Sequence, residues 1–384
     1  EIAQELKEKV TNVVKKQLVS DKPLGVYLSG GIDSSIIVDR VSSLRTNVET
    51  FSVGFDLTEE EEREKFNVDF ELAKRTSRYY GTHHHEILLS PQDVVDNFEK
   101  AVWHMDEPIS NPTAMSMIVL AHFAKENVDV VLGGDGGDEL FGGYPRYRHC
   151  KRIEMYQTYA PKALRDMFAN MHPLLKKINT DSSVERMALF MFQKDVVSEV
   201  VQDEYIKPNI TKDFFQNTFF QYTTNKTFAQ DYMNVDRQSW LRDFSLMLTD
   251  KMTMSAALEA RVPLLDADLI EFAETIPMKY KTSIFDTKII LKEAFKNDLP
   301  DFVLGQPKRG WVSPGAKWLR RKDVQKMAQE ILNPGYYEET QGLFKWEEIE
   351  KMLEEHISKK RYNLTMIWAL MTFQVWAKKY KVTV

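Results

Sequence analysis

Apolar residues in the first 145 positions follow two alternating spacings. The opening segment, residues 2–18, repeats apolar residues every three or four positions, which predicts an amphipathic helix. Short apolar runs predict strands at 24–28, 48–55, 84–89 and 128–132, and segments with helical spacing separate them at 34–44, 62–80, 91–102 and 112–125. Strands that alternate with helices predict an α/β fold, in which helices cover both faces of a parallel sheet.

Beyond residue 145 the spacing is helical almost throughout. Six long segments carry it, at 161–177, 183–202, 227–258, 266–276, 287–298 and 345–381. We therefore expect an α/β core over residues 1–145 and a mostly helical part of the same domain over residues 146–384. No internal repeat or low-complexity tract interrupts either part.

Composition and charge narrow the class of protein. The 384 residues are 43% apolar and 28% charged, which is typical of globular proteins with a sizeable core. No run of about 18 apolar residues occurs, so no membrane span is expected. A net charge of −6 without a dense basic stripe argues against nucleic acid as a partner, and a single cysteine, Cys150, suits the reducing cytoplasm. Because the chain begins with Glu1, we expect it to be part of a longer polypeptide or to lack its first residues.

The sequence SGGIDSS, residues 29–35, joins the first predicted strand to a helix and has the composition of a phosphate-binding turn. Its glycines let the backbone approach a ligand closely, and the N-terminus of the following helix favours an anion. The spacing matches neither GxxxxGK nor GxGxxG. Asp33 beside an anion indicates an intervening Mg²⁺, and a glycine turn with a helix-capping aspartate is the alternative.

A second glycine-rich turn follows the last strand of the series, in VVLGGDGGDELFGGYPRY at residues 130–147. Asp135, Asp138 and Glu139 crowd on this loop, where carboxylates repel one another unless a cation or a shared proton relieves them. In this interpretation Asp138 completes a Mg²⁺ site with Asp33, and Asp135 acts as a base or orients a nucleophile. The alternatives are an acidic surface loop and a calcium loop, but the spacing is not that of an EF-hand. Ligands of parallel sheets bind outside the carboxyl ends of the strands, so both turns are expected at one edge.

Together these motifs resemble the synthetase domain of glutamine-dependent asparagine synthetases, which belongs to the ATP pyrophosphatase (PP-loop) group. The resemblance extends through nearly the whole chain, and its motifs occur in the same order as in the family. Besides the two turns it includes TFSVGF at 50–55, HHHEI at 83–87, LEARVPLLD at 258–266, KIILKEAF at 288–295 and QPKRG at 306–310. It implies an adenine nucleotide alpha hydrolase-like core, with ATP and Mg²⁺ as cofactors.

The resemblance also implies a reaction and roles for particular residues. In such enzymes a carboxylate attacks the α-phosphorus of ATP, which releases pyrophosphate and forms an acyl-adenylate, and ammonia then displaces AMP. Asp33 and Asp138 match the carboxylates that hold Mg²⁺ and pyrophosphate. Lys308 matches the lysine that stabilises charge at the α-phosphate, and Lys288 matches a second lysine of the site. The positions that match ATP or pyrophosphate binding are Leu28, Ser29, Gly30, Gly31, Asp33, Ser34, Ser35, Val53, Gly133 and Gly134.

Two positions depart from the best-known members of the family. Asp135 stands where they have a glutamate that is thought to help deprotonate the ammonia, so this carboxylate is one methylene shorter. Those members also carry an arginine that binds aspartate in the segment matching SNPTAMSM at 110–117, where this chain has Thr113 and no arginine. Either another basic residue, such as Arg261 or Arg146, binds the acid, or the acid is not aspartate.

The pair Glu259 and Arg261 and the histidine run at 83–85 can each be interpreted as structural or as functional. Glu259 and Arg261 lie in an expected helix-to-loop segment, where they either form an ion pair that fixes the helical part to the sheet or line the acid-substrate pocket. The run of three histidines at 83–85 is a poor set of metal ligands, because neighbouring residues of a strand point to opposite faces.

The functional interpretation is an amide ligase of the asparagine synthetase type, with a small carboxylic acid, aspartate first, as its substrate. Alternatives are the same chemistry on a sugar acid, a peptide or a β-amino acid, a tRNA-modifying ATP pyrophosphatase, and a silent nucleotide-binding module. The tRNA-modifying enzymes need a basic surface and often reactive cysteines, against which the net charge and the single cysteine argue. Three sources of ammonia stay open: a glutaminase domain of a longer chain, a partner glutaminase subunit and free ammonia. A homo-oligomer is also left open.

Overall fold

The computed structural model of the chain describes most of its residues. The described ranges are 1–62, 66–180, 185–187, 197–207, 210–220, 223, 227–307, 310 and 312–383. Among the helices within these ranges, none is long and apolar enough to cross a membrane.

A five-stranded parallel sheet lies at the centre of the structure. Its strands are β1 (Leu24–Tyr27), β2 (Glu49–Phe55), β3 (His83–Leu89), β4 (Val130–Leu132) and β5 (Glu259–Arg261). They lie in the order β3-β2-β1-β4-β5, and each neighbouring pair is parallel. This arrangement confirms the expected α/β fold and the four strands of the first 145 residues.

The fifth strand corrects the expectation of a helix-to-loop segment around residue 259. Glu259 pairs with Val130 and Arg261 pairs with Leu132, so β5 adds an edge to the sheet beside β4. Three residues are too short for an alternating pattern to be recognised in the sequence. The strand exists because its backbone finds partners on β4, which is a tertiary effect.

Helices surround the sheet and make up most of the later chain. In the first part they are α1 (Ile2–Gln17), α2 (Ile32–Leu44), α3 (Glu59–Glu62), α4 (Val68–Tyr80), α5 (Pro91–Met105), α6 (Thr113–Lys125) and α7 (Gly137–Phe141). Those that follow are α8 (Pro145–Tyr159), α9 (Lys162–Met171), α10 (Pro173–Ile178), α11 (Val197–Val200), α12 (Ile210–Thr218), α13 (Phe228–Asp236), α14 (Met247–Met254), α15 (Ala267–Thr275), α16 (Met278–Lys281), α17 (Ile289–Phe295), α18 (Asp301–Leu304), α19 (Gly315–Trp318), α20 (Lys322–Ile331), α21 (Trp346–Ile357) and α22 (Leu364–Tyr380).

Several long helical predictions break into shorter elements. The segment 227–258 contains α13, a π-helix at Arg237–Leu246 and α14, and the segment 345–381 divides into α21 and α22. Residues 161–177 form α9 and α10, whereas most of the predicted helix at 183–202 lies outside the described residues. Apolar spacing thus located helical chain correctly but did not show where the axis is interrupted.

Two apolar cores lie on the two faces of the sheet. Val131 and Leu132 are successive residues of β4, and they enter different cores because neighbouring strand residues point to opposite faces. One core contains residues of α5, α6 and α20–α22, and the other contains residues of α1, α2, α15 and α17. Later helices therefore share both cores with the sheet. The division at residue 145 stays a prediction.

Candidate active site

The two glycine-rich turns meet at the carboxyl edge of the adjacent strands β1 and β4. A Cβ atom at Gly134 would lie 2.8 Å from the backbone nitrogen of Ser34 and 2.9 Å from Cβ of Asp33. Only glycine lets the second turn approach the first this closely. The two motifs, which are about a hundred residues apart in the sequence, form one site.

The first turn has the backbone of an anion-binding loop. Gly30 has a φ of +70°, and a Cβ there would lie 2.7 Å from the backbone nitrogen of Ala73 on α4. The hydroxyl oxygens of Ser29 and Ser34 are 3.0 Å apart, and the Ser34 hydroxyl accepts a hydrogen bond from the Ser29 N–H at 3.2 Å. These bonds close the turn at the N-terminus of the 13-residue helix α2, where backbone N–H groups favour an anion.

Lys288 lies between the aspartates of the two turns. Its ammonium contacts the Asp33 carboxylate and lies 2.6 Å from Oδ1 of Asp138. The side chain is only 3% exposed. Burial alone would lower the pKa of Lys288, but the carboxylates of Asp138 and Asp33 outweigh it and raise the pKa, so the ammonium stays charged. Asp33 and Asp138 are therefore close enough to share one cation.

The donor set of this pair fits Mg²⁺ that arrives with phosphate. The ammonium of Lys288 already stands as a cation between two carboxylates, and Mg²⁺ prefers such hard oxygen ligands. The described residues contain no cluster of three or more metal-ligating side chains. Two carboxylates supply part of an octahedral set, and substrate phosphates commonly supply more of it.

Two adjoining cavities open at this edge of the sheet. The larger has a volume of about 420 Å³ and the smaller about 90 Å³, and Ser29, Asp33 and Asp69 line both. Lys288 and Lys292 line the smaller cavity with the first turn. Predicted residues that line the larger cavity are Leu28, Ser29, Asp33, Ser34, Val53, Gly133, Gly134, Asp135 and Asp138, and those that line the smaller are Ser29, Gly30, Gly31, Asp33 and Lys288.

The structure does not bring every predicted residue to these cavities. Ser35 is buried in α2 and lines neither cavity. Arg261 donates hydrogen bonds to the carbonyl oxygens of Gln17 and Val19, near the end of α1, and pairs with Glu259 at 2.6 Å. Neither Glu259 nor Arg261 is among the described residues that line these two cavities. Lys308 lies outside the described residues.

Two carboxyl groups of the second turn lie on the wall of the larger cavity, and Glu139 is buried whereas Asp135 is half-buried. Burial raises the pKa of Asp135 to about 6, and the Thr249 hydroxyl lies 3.4 Å from its Oδ1. Burial also raises the pKa of Glu139 to about 7, and the Tyr144 hydroxyl donates a hydrogen bond to its Oε1 at 2.7 Å. Carboxyl groups with pKa values near 6 and 7 can exchange a proton near neutral pH.

The larger cavity has an aromatic wall that the sequence did not predict. Trp240 and Phe244 of the π-helix and Leu248 of α14 line this wall at intervals of four residues. The rings of Trp240 and Phe244 stack at 4.5 Å, and the indole N–H of Trp240 donates to the Tyr144 hydroxyl at 3.3 Å. The four-residue spacing is visible in the sequence but indicates only a helix face. π-helical turns occur frequently at functional sites.

Arg146 lies behind this wall. Its Nε donates to Oδ2 of Asp236 at 2.7 Å, and its guanidinium lies 4.0 Å from the ring of Tyr144 and 5.3 Å from the ring of Trp240. Burial raises the pKa of Asp236 to about 6, despite the opposing effect of Arg146. Arg146 therefore organises the wall and is not among the residues that line the cavity.

The described lining of the larger cavity is acidic. It carries five carboxyl groups and no lysine or arginine, within the part of the chain that the structure describes. The five are Asp33, Asp69, Asp135, Asp138 and Glu139. A polyanionic ligand needs a cation at this surface, which agrees with the paired carboxylates at Lys288.

Comparisons with known proteins show which family and which relatives the chain resembles. A family model described as asparagine synthase matches residues 5–378. The asparagine synthetase (glutamine-hydrolysing) 1 of Bacillus subtilis is 29% identical over 384 residues, which cover 98% of this chain and 59% of that protein. A putative asparagine synthetase (glutamine-hydrolysing) of Mycobacterium tuberculosis is 28% identical, covering 94% of this chain and 55% of that protein. The protein named amidase chyE of Penicillium rubens is 24% identical, covering 94% and 59%. The chain thus spans a little over half the length of these curated relatives.

Proposed function

The chain belongs to the asparagine synthase family, and from this premise we propose that it is an ATP-dependent amide ligase. In the proposed reaction a carboxylate oxygen of an acid attacks the α-phosphorus of ATP, and the bond to the β-phosphate oxygen breaks to release pyrophosphate. Ammonia then attacks the carbonyl carbon of the acyl-adenylate, and AMP leaves. The nitrogen loses one proton as the amide forms.

The observation that supports this proposal most directly is the meeting of the two glycine-rich turns around Lys288. Asp33 from the first turn and Asp138 from the second turn both contact its ammonium. In the proposed complex these carboxylates hold Mg²⁺, which neutralises charge on the phosphates. The N–H groups of the first turn and Lys292 then face the pyrophosphate from the smaller cavity.

Adenosine is proposed to occupy the larger cavity beside the ends of β1, β2 and β4. Leu28, Val53 and Gly133 line that region, where the side chains of Leu28 and Val53 offer apolar contact and the three backbones offer peptide groups. Lys308 is proposed to stabilise charge at the α-phosphate, from the family pattern alone.

Asp135 is proposed to take the proton that the ammonia loses. Its carboxyl lines the cavity, and its pKa of about 6 makes the base form predominant at neutral pH. An aspartate in place of the family's glutamate shortens the reach by one methylene. The close approach of the two turns supports this role because it brings the loop that carries Asp135 against the phosphate loop.

Aspartate is the first acid to test, because relatives named asparagine synthetases match nearly the whole chain. Free ammonia and a glutaminase domain or subunit are both proposed nitrogen sources, and those relatives are named glutamine-hydrolysing. A second candidate is the same reaction on another carboxylic acid. The aromatic wall of Trp240, Phe244 and Leu248 favours this second candidate, and so does the threonine at position 113. Relatives named amidases also occur among the matches.

The decisive experiment is exchange of labelled pyrophosphate into ATP in the presence of Mg²⁺ and single candidate acids. We expect exchange with the correct acid, and an amide of that acid by mass spectrometry once ammonium is added. Asp33→Asn should abolish both signals. Exchange without aspartate but with another acid selects the second candidate, whereas ATP binding without exchange for any acid refutes the ligase proposal.

A further inference from the structure

Lys288 is held in a conformation that local sequence does not favour. It directly precedes α17 with a φ of +53°, in the left-handed region that residues other than glycine rarely adopt. Its side chain crosses beside Gly143, where an added Cβ would collide with both Cε of Lys288 and the Asp138 carboxylate. A strained backbone and a reserved space both serve to deliver one ammonium between two carboxylates.

Lys288 offsets one of the two negative charges that Asp33 and Asp138 carry. The two carboxylates and the ammonium together carry a net charge of −1. The described lining of the larger cavity adds further carboxyl groups and contains no lysine or arginine. Without the ammonium, two close carboxylates would repel each other and attract a divalent cation. With it in place, a cation approaching them meets a charge of its own sign.

We propose that Lys288 is a counter-ion that keeps divalent cations off Asp33 and Asp138 until a nucleotide arrives, so that metal enters only with ATP. Phosphate groups give the ammonium alternative anionic partners in the smaller cavity, which Lys288 also lines. The carboxylates then become available to the metal. This order of binding prevents a metal ion from occupying the site without a nucleotide. A metal ion bound alone would change the charge of the site before the phosphates arrive.

The inference depends on the proposed nucleotide site, so its test separates the two. In wild-type protein, Mg²⁺ alone should leave the Tm unchanged, and Mn²⁺ alone should show no binding by electron paramagnetic resonance. ATP with either metal should bind. Failure of wild-type protein to bind ATP with metal contradicts the proposed function, whatever the variants do.

The variant that tests the counter-ion itself is Lys288→Met, which keeps the length of the side chain but removes its charge. We expect it to bind Mn²⁺ without nucleotide at least about tenfold more tightly than wild type, because the opposing charge is gone. At ten times its Kd, Mg²⁺ should raise the Tm of this variant by roughly 2 °C. The double variant Lys288→Met/Asp138→Asn is the matched control and should lose this response.

Each outcome of the metal titration decides the question. A folded Lys288→Met protein that ignores metal overturns the proposal, and so does wild-type protein that binds metal without nucleotide. A variant that folds only when Mg²⁺ is present supports it, because the metal then replaces the ammonium. A variant that stays unfolded in saturating Mg²⁺ contradicts it, since the proposal requires that a divalent cation can take over this charge.

Discussion

The contact between the two turns predicts a large effect for Gly134→Ala. The φ of Gly134 lies outside the left-handed region, so the added Cβ acts through space alone. It would lie 2.8, 2.9 and 3.0 Å from the backbone nitrogen of Ser34 and from Cβ and the carbonyl carbon of Asp33. Ordinary contact begins near 3.4 Å, so these atoms must retreat by 0.4–0.6 Å, the difference between 3.4 Å and each distance. Two of the three are backbone atoms, which cannot rotate away.

We expect this overpacking to lower the free energy of unfolding by about 1–3 kcal/mol, measured by urea denaturation. Because the turns separate, the Kd for ATP with Mg²⁺ should rise about tenfold in calorimetry, which corresponds to about 1.4 kcal/mol. Gly342→Ala is the matched control, since its Cβ would meet no atom within 4 Å, and it should change stability by less than about 0.5 kcal/mol. Unchanged nucleotide affinity in a destabilised Gly134→Ala protein would refute the joint nucleotide site.

Three further predictions concern the second turn and the aromatic wall. Because the pKa of Asp135 is raised to about 6, amide formation at saturating substrates should rise with pH through about pH 6 as the carboxylate forms, and Asp135→Asn should remove this rise while pyrophosphate exchange persists. Arg146→Met leaves the Asp236 carboxylate buried without its cation, so the free energy of unfolding should fall by about 3–5 kcal/mol at pH 8. The loss should be smaller at pH 5, because Asp236 takes up a proton there. Equal losses at both pH values would contradict this reasoning. Trp240→Ala should raise the KM for the acid roughly tenfold with the Kd for ATP unchanged, whereas replacement of the exposed Trp103 of α5 by alanine should alter neither.

Much of the edge of the sheet where a nucleotide is proposed to bind could be predicted, because its determinants are local. A short apolar run, a glycine turn and a helix start follow one another directly at residues 24–44. The same order after β4 placed a second glycine turn. The parallel sheet then required both turns at one edge, as the structure has them.

The parts that could not be predicted depend on partners far away in the sequence. The strand β5 is three residues long and exists through pairing with β4. The π-helix interrupts a segment whose apolar spacing is compatible with a continuous helix, so the aromatic wall at Trp240 and Phe244 had no distinguishing signal. Arg261 has the charge to bind an acid, but the structure directs its guanidinium to carbonyl groups at the end of α1.

The alternation of strands and helices, the two glycine turns and the carboxylates of those turns can all be predicted from the amino-acid sequence alone. These follow from spacing and side-chain chemistry over a few residues, which operate before the chain is folded. The position of the Lys288 ammonium between Asp33 and Asp138 depends instead on the fold, because Lys288 follows Asp33 by 255 positions in the sequence. The reason is physical: a buried charge is stable only beside opposite charges, and packing alone brings such distant groups together.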